Sequence, residues 1–321
     1  MQTARRIAGI LLLFLLAGET LTGEAAGSGI LHPQRRALTP ELVARAEEAF
    51  ARAGAVREDF VVAAPDGARL RGWKVRAAHP NGDWVLLFHG VSDNRAGMTG
   101  QAEMLLRHGY SVAMMDARAH GESEGPMATY GWLERNDTRA IVDSLVATEA
   151  LPASASIFAS GESMGAAIAL QSAGIEPRIR AVVAESAFRN LREVSYDYAG
   201  LYTSVLLGKT LLRPLAILAV RSGEREGGFR AEDVSPERAV AARAFPVLLI
   251  CGLDDHNIPP RHTRAIYAAA TGPKEMWLVP GAGHTQAQGR APEEFERRVT
   301  SFFARAHASE APRESSPPQS R

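Results

Sequence analysis

Short apolar runs that alternate with longer, helix-length segments constrain the fold of this chain more than any other feature. The runs are WVLLFHG, SVAMMD, ASIFASG, AVVAES, FPVLLICG and EMWLVPG, all between residues 84 and 281. Continuous apolar strands separated by helices are typical of βαβ units, in which helices cover both faces of a mostly parallel sheet. The sequence therefore predicts an α/β fold, and in such folds functional residues gather beyond the carboxyl ends of the strands.

The segments outside this alternation predict an edge and a cap. Thr39 and Pro40 suit the N-cap and first position of a helix, and residues 58–77 alternate about a PDG turn as a β-hairpin at the sheet edge does. Residues 191–242 depart from the βα rhythm and include a strongly apolar part. We expect them to form a small helical cap over the substrate pocket, the alternative being an ordinary pair of packing helices.

The two ends of the chain differ in composition from its middle. Two arginines precede the apolar residues 7–17, as in a secretory signal, and this apolar segment is short for a spanning helix. We assign residues 1–29 to a signal peptide or a signal anchor, 30–307 to one folded domain and 308–321 to a disordered tail. The protein is then exported or membrane-anchored, either periplasmic or secreted, with a cytoplasmic location as the alternative.

Charge and cysteine content exclude several classes of function. Lys and Arg number 36, as do Asp and Glu, so no net charge indicates a nucleic-acid partner. Cys251 is the one cysteine, and its apolar surroundings favour a buried residue over a reactive thiol. Because no HExxH or similar spacing frames a metal site, we expect neither a metal nor an organic cofactor.

A serine between two glycines is the first candidate for chemistry. In ASGESMGAAIAL, the residues Gly161, Ser163 and Gly165 stand between a predicted strand and a predicted helix. A sharp turn from strand to helix exposes a serine hydroxyl, and the glycines relieve the crowding. The pentapeptide alone is common in chains of this size, but its placement favours a nucleophile over a serine in a small-residue connection.

A nucleophilic serine needs a base, and that base needs a carboxylate. His284 lies in a small-residue loop after the last apolar strand, where its imidazole can approach the serine. Asp254 and Asp255 follow the strand before it, and Glu185 ends an earlier strand as a third choice of acid. Five other histidines are interpreted as surface or structural residues: His32, His79, His108, His262 and His307.

These motifs resemble the α/β-hydrolase superfamily, and within it the bacterial serine-aminopeptidase-like esterases that carry an N-terminal signal or anchor. In that superfamily the acid commonly stands three residues after a glycine and four before a proline, a frame that Gly252 and Pro259 give to Asp255. The loops MMDARAHGESEG and TYGWLERNDTRAIVDSL are also similar, with Ala119 where the superfamily usually has glycine. The likeness extends over about residues 58 to 305.

The resemblance also implies donors for the oxygen that becomes negative during acyl transfer. The backbone N–H of Met164, directly after the serine, would be one donor. The N–H of Val91 would be the second, because it follows the His89-Gly90 pair in LLFHGVSDNR. His89 would then shape this loop by hydrogen bonding and would not act as a base.

The expected function is cleavage of a carboxylic ester by a serine hydrolase, through an acyl-enzyme intermediate. A serine peptidase of the same fold, aminopeptidase-like or oligopeptidase-like, shares this chemistry and is the alternative, so the substrate is a small ester or a short peptide. Cofactor-free haloperoxidase or perhydrolase activity uses the same three residues. A non-catalytic envelope scaffold is the alternative from another class. Membrane association would come through the N-terminal segment, while acyl length and oligomeric state do not follow from the sequence.

Overall fold

An eight-stranded sheet forms the centre of the structure, a computed structural model that describes residues 27–199, 201, 206, 210 and 212–309. The strands are β1 (Val56–Ala63), β2 (Arg69–Arg76), β3 (Trp84–Phe88), β4 (Ser111–Met115), β5 (Ile157–Glu162), β6 (Ile179–Glu185), β7 (Val247–Gly252) and β8 (Lys274–Val279). In the described part of the chain the helices are α1 (Pro40–Arg52), α2 (Thr99–Arg107), α3 (Glu134–Glu149), α4 (Met164–Ile175), α5 (Leu191–Tyr198), α6 (Arg213–Gly227), α7 (Pro236–Ala242), α8 (Pro260–Ala269), α9 (Ala287–Arg290) and α10 (Pro292–Ala308). A 3₁₀ turn covers Arg95–Met98, and residues 27–31 form a further helical turn.

The strand order is β1-β2-β4-β3-β5-β6-β7-β8. The first two pairings are antiparallel, and all the others are parallel. The predicted mostly parallel α/β fold is therefore confirmed. From β3 the chain continues to β4 on one side, and from β5 it continues to β6 on the other side. The carboxyl ends of the neighbouring strands β3 and β5 therefore form a topological switch point. There Phe88 pairs with Gly161, which brings the loop after β3 next to the turn after β5.

Local sequence explains the elements that hold this sheet. The Thr39 hydroxyl accepts the Leu42 N–H at 3.4 Å at the start of α1, and Pro40 occupies the first position of the helix. The β1–β2 hairpin turns at Gly67, whose φ of +88° suits glycine. Strands β3, β4 and β7 are buried along their whole length, as expected for central strands with helices on both faces.

Two apolar cores lie on opposite faces of the sheet. One packs α3, α4, α7 and α8 against it, and the other packs α1, α2 and α10. A third, smaller core joins the residue 27–31 turn to α5 and α6 through Leu31, Val194 and Val220. This third core lies outside the sheet, next to the carboxyl edge.

The expected cap segment, residues 191–242, divides into two parts in the structure. Helices α5 and α6 contact each other, whereas α7 packs on α4 and α8 and so belongs to the body of the fold. Residues 1–26 of the expected leader and 310–321 of the expected tail lie outside the described residues; Ala308 is the last residue of α10. Within the described ranges, no helix has the length and apolar character needed to cross a membrane.

Candidate active site

The turn between β5 and α4 carries Ser163 in a strained backbone conformation. Its φ is 55° and its ψ −118°, values that L residues rarely adopt. A Cβ at Gly161 would lie 2.5 Å from the carbonyl of Gly165, and one at Gly165 would lie 2.1 Å from the oxygen of Phe88. Both glycines are therefore required by the close approach of three backbone segments, and the turn between them presents the Ser163 side chain at the sheet edge.

A continuous chain of hydrogen bonds joins three loops at this edge. The Ser163 hydroxyl lies 2.9 Å from Nε2 of His284, and Nδ1 of the same ring lies 2.9 Å from Oδ2 of Asp255. With Nδ1–H donating to the carboxylate, Nε2 is free to accept the hydroxyl proton. Residues that are far apart in the sequence thus meet in the order that base-assisted nucleophilic attack requires.

The structure distinguishes between the three acids that the sequence left open. Asp255 is buried, and its Oδ1 accepts the N–H groups of Asn257 at 3.0 Å and Ile258 at 2.8 Å. Burial alone would raise its pKa, but the hydrogen bond and charge of His284 hold the pKa of the Asp255 carboxyl below its ordinary value. Asp254 is exposed, and Glu185 accepts the Ala287 N–H at 2.9 Å. Only Asp255 of the three bonds the imidazole.

Gly252 explains how the acid loop reaches the histidine loop. A Cβ at this position would lie 2.1 Å from the backbone oxygen of Ala282 and 2.4 Å from that of Gly283. No side chain fits between the two backbones, so only glycine lets the end of β7 pack directly against the loop after β8. The glycine of the sequence frame around Asp255 therefore has a steric reason.

His89 ties the loop after β3 to the loop after β4. Its Nδ1–H donates to the Gly90 carbonyl at 2.7 Å, and its Nε2 accepts the Ala117 N–H at 3.0 Å. Burial lowers the pKa of His89, which keeps the ring neutral. Both ring nitrogens bond to the backbone, so His89 fixes the loop that carries Val91. A side chain at Gly90 would make only ordinary contact with Ser163.

A cavity of about 170 Å³ opens at the serine. Ser163, Met164 and Val91 all lie in its wall, so the residues expected to supply the two N–H donors border the same space as the serine. Met164 also begins α4, and the first N–H groups of a helix have no partner within the helix. This position gives a developing negative charge access to unpaired donors.

Comparisons with known proteins show the family of this chain. A family model described as serine aminopeptidase, S33, matches residues 79–221. An uncharacterized protein of Mycobacterium tuberculosis is 32% identical over 232 residues, which cover 72% of this chain and 73% of the relative. The chain belongs to the α/β-hydrolase family. Among solved structures, an esterase of Pyrococcus furiosus superposes with a TM-score of 0.68 at 24% identity, covering 86% of this chain and 98% of the esterase.

A second solved structure is that of a peptidase. The acylaminoacyl peptidase of Pyrococcus horikoshii superposes with a TM-score of 0.59 at 16% identity, over 78% of this chain and 42% of the peptidase. At identities of 24% and 16%, both superpositions support the fold of this chain but do not indicate its substrate. The choice between ester and amide therefore rests on the site itself.

The sequence did not single out Ser186, a residue that supports the hydrogen-bonded chain in this α/β hydrolase. Its hydroxyl accepts the Thr285 N–H at 3.3 Å and also interacts with the Asp255 carboxylate. Ser186 has a φ of 54° and is fully buried. Ser186 directly follows Glu185 at the end of β6. Its position after a predicted strand is the sequence feature that could have indicated a functional role.

Two carboxyl groups beside the serine have raised pKa values. Burial, together with the nearby Glu185 and Asp93, raises the pKa of Glu162 to about 8. Burial also raises the pKa of Glu185 to about 7, with Asp255 adding to the effect. Low dielectric and like charge both disfavour the ionised form. Neither carboxyl group is among the described residues that line the cavity.

Proposed function

We propose that this α/β hydrolase is a serine esterase in which Ser163 is the nucleophile, His284 the general base and Asp255 the residue that orients the imidazole. The observation that carries the proposal is the unbroken hydrogen-bonded chain from a buried carboxylate to a strained serine at the wall of an apolar cavity. A buried carboxylate that holds a histidine against a serine hydroxyl is the arrangement that activates serine.

The reaction proceeds in two halves. His284 accepts the Ser163 proton at Nε2 while Oγ attacks the ester carbonyl, and the N–H groups of Met164 and Val91 stabilise the resulting oxyanion. When the intermediate collapses, the imidazolium gives its proton to the leaving alcohol. A water molecule then attacks the acyl-enzyme with His284 again as base, which releases the carboxylic acid and restores the serine. Asp255 stays ionised and stabilises the imidazolium throughout.

The cavity wall favours an ester over a peptide substrate. Among the described residues that line the cavity, none carries a charged side chain. An aminopeptidase must bind a substrate ammonium group, which in a buried site requires a carboxylate or comparable partners. The wall is instead built from aliphatic, aromatic and hydroxyl side chains, for example Phe188, Leu191 and Ile258, which suit an uncharged acyl group.

A fluorophosphonate probe and a panel of chromogenic substrates test this function. We expect the protein to take up one label and to hydrolyse aryl esters faster than aminoacyl anilides. Ser163→Ala should take up no label and lose about 10⁶-fold in kcat/KM, the scale on which loss of a triad nucleophile acts. The matched control is Ser172→Ala, a buried serine further along α4 whose hydroxyl bonds Thr138 at 2.9 Å.

Each alternative function has its own outcome in this experiment. A folded protein that takes up no label, beside a labelled control hydrolase, would favour the scaffold alternative. Faster turnover of the anilides than of the esters would favour the peptidase. Near-normal ester hydrolysis by Ser163→Ala would exclude Ser163 as the nucleophile.

A further inference from the structure

Residues 27–36, here called the N-terminal strap, run across the carboxyl edge of the sheet beside the cavity. The Tyr130 hydroxyl donates to the carbonyl of Ile30 at 2.8 Å, and the N–H of Ala128 donates to that of Leu31 at 2.8 Å. The Leu31 side chain is buried in the core shared with α5 and α6. The strap is therefore fixed to the body of the protein at Ile30, which borders the cavity.

Contacts at both ends keep the strap in this place. At its start a Cβ on Gly27 would lie 2.5 Å from the Ala219 carbonyl, so its backbone lies directly on α6. Towards its end the Arg35 guanidinium donates to the carbonyls of Ser123 at 2.9 Å and Gly125 at 3.0 Å. Because the backbone is held on both sides of Ile30, this side chain has little freedom to move away from the cavity.

We propose that the strap completes the acyl pocket of the enzyme, that Ile30 limits the length of the acyl chain, and that the preferred substrates are esters of acids with about six carbons. This inference rests on the proposed esterase function and names the substrate class of the same site. It assigns a specificity role to residues that the sequence divided between a leader and the start of the folded domain.

The position of His284 indicates that the cavity holds the acyl group and not the alcohol. His284 must give a proton to the leaving alcohol, so the alcohol lies on the imidazole side of the scissile bond. The cavity is bordered by Ser163, Met164 and Val91, whereas His284 is not among the described residues in its wall. The space therefore lies on the side of the carbonyl away from the leaving group.

The size of the cavity sets the expected chain length. A cavity of roughly 150 Å³ accommodates benzene, which has six carbons, and this one measures about 170 Å³. Each methylene group that enters an apolar site should raise kcat/KM by roughly fourfold. We expect that gain to continue up to about hexanoate and to end there, because the cavity has no room for more and the strap holds Ile30 in its wall.

The test is a profile of kcat/KM for p-nitrophenyl esters from acetate to palmitate, measured on the full-length protein. Ile30→Trp should lower the ratio of hexanoate to acetate turnover at least tenfold. Ile30→Ala should move the optimum towards longer chains by two carbons or more. Gln34→Ala is the control, because Gln34 is an exposed residue of the same strap, and its profile should match that of the unmodified protein.

A second series separates this inference from the proposed function. With alkyl acetates, in which only the alcohol varies, the Ile30 variants should leave the length profile unchanged. Altered alcohol preference, or acyl profiles that are the same in both variants while Ser163 still takes up the fluorophosphonate label, would overturn the inference and leave the esterase function intact. Absence of both label and ester turnover in the unmodified protein would instead overturn the proposed function.

Discussion

Two networks of charged side chains lie at the same edge of the sheet, and only the second of them reaches the cavity. In the loop after β4, the buried Arg118 guanidinium bonds the buried Asp137 through two nitrogens and also the exposed Asp66. In the loops after β5, β7 and β8, the Asp255 carboxylate bonds His284, and the chain continues to Ser163 at the cavity. The first network joins opposite charges inside the protein, whereas the second ends at a group that a substrate can reach.

Residues other than glycine with positive φ occur in the loops of both networks. In the described chain Ala119, next to Arg118, is such a residue of the first network. Ser163, Ser186 and Thr285 lie in the loops of the second network, and Tyr130 lines the cavity. Such conformations persist only where surrounding contacts enforce them, and they collect at functional sites. The first network thus pairs opposite charges at the sheet edge, whereas the strained turn at Ser163 presents a hydroxyl to the cavity.

The largest expected difference in kcat/KM is between variants of the two adjacent aspartates after β7. Asp255→Asn should reduce kcat/KM for an aryl ester by about 10⁴-fold, because an amide facing Nδ1 favours the wrong imidazole tautomer. Asp254→Asn should change it by less than about twofold, since Asp254 is exposed. Steady-state kinetics on both variants checks the prediction, and equal losses would show that Asp255 does not orient the imidazole.

Much of this site was predictable from the sequence because strand ends and small residues are local features. The apolar runs predicted β3 to β8, and the pentapeptide around Ser163 predicted the turn that the structure contains. The neighbour relations were not predictable in the same way. That β3 lies between β4 and β5, and that Ile30 reaches the cavity, depend on the path of the chain in space.

The choice between Asp254 and Asp255 shows the same limit at the level of one residue. Both follow β7 and both are carboxylates, so periodicity and chemistry treat them alike. Their difference arises from the loop, in which the N–H groups of Asn257 and Ile258 turn towards Asp255. The frame of Gly252 and Pro259 favoured Asp255 through family resemblance, and the steric role of Gly252 gives that frame a physical cause.

Disrupting the first network should cost stability and spare chemistry. In Arg118→Met the Asp137 carboxylate stays buried without its cation, which should lower the free energy of unfolding by about 3–5 kcal/mol. In the intact protein the pKa of Arg118 lies above its ordinary value, because its two carboxylates outweigh the effect of burial. Urea unfolding measures the loss, and kcat/KM per labelled site should stay within a few-fold of the unmodified value.

The double variant Arg118→Met/Asp137→Leu is the control for this change. Removing both charges leaves neither member of the buried Arg118–Asp137 pair without its partner, so most of the lost stability should return. If the double variant were as unstable as the single one, lost packing of the Arg118 side chain would explain the effect better than lost pairing. A large fall in turnover per labelled site would place this network in the chemistry and remove the contrast between the two.

Glu185 sharpens the comparison on a smaller scale, because it lies beside the second network and bonds a backbone N–H instead of a guanidinium. Burial raises its pKa from 4.5 to about 7, so the folded protein binds this proton more tightly than the unfolded chain does. The favourable contribution is complete below pH 4.5 and is lost as the pH rises through 7. Above pH 8, Glu185→Gln, which keeps the hydrogen-bond acceptor, should therefore have a higher free energy of unfolding than the parent, by at most about 3 kcal/mol. Urea unfolding measures this difference, which should decrease to zero as the pH falls towards 4.5. Glu48→Gln on the exposed face of α1 should show no such trend, and parallel curves for Glu185→Gln and the parent would mean that Glu185 ionises in the folded protein as easily as in water.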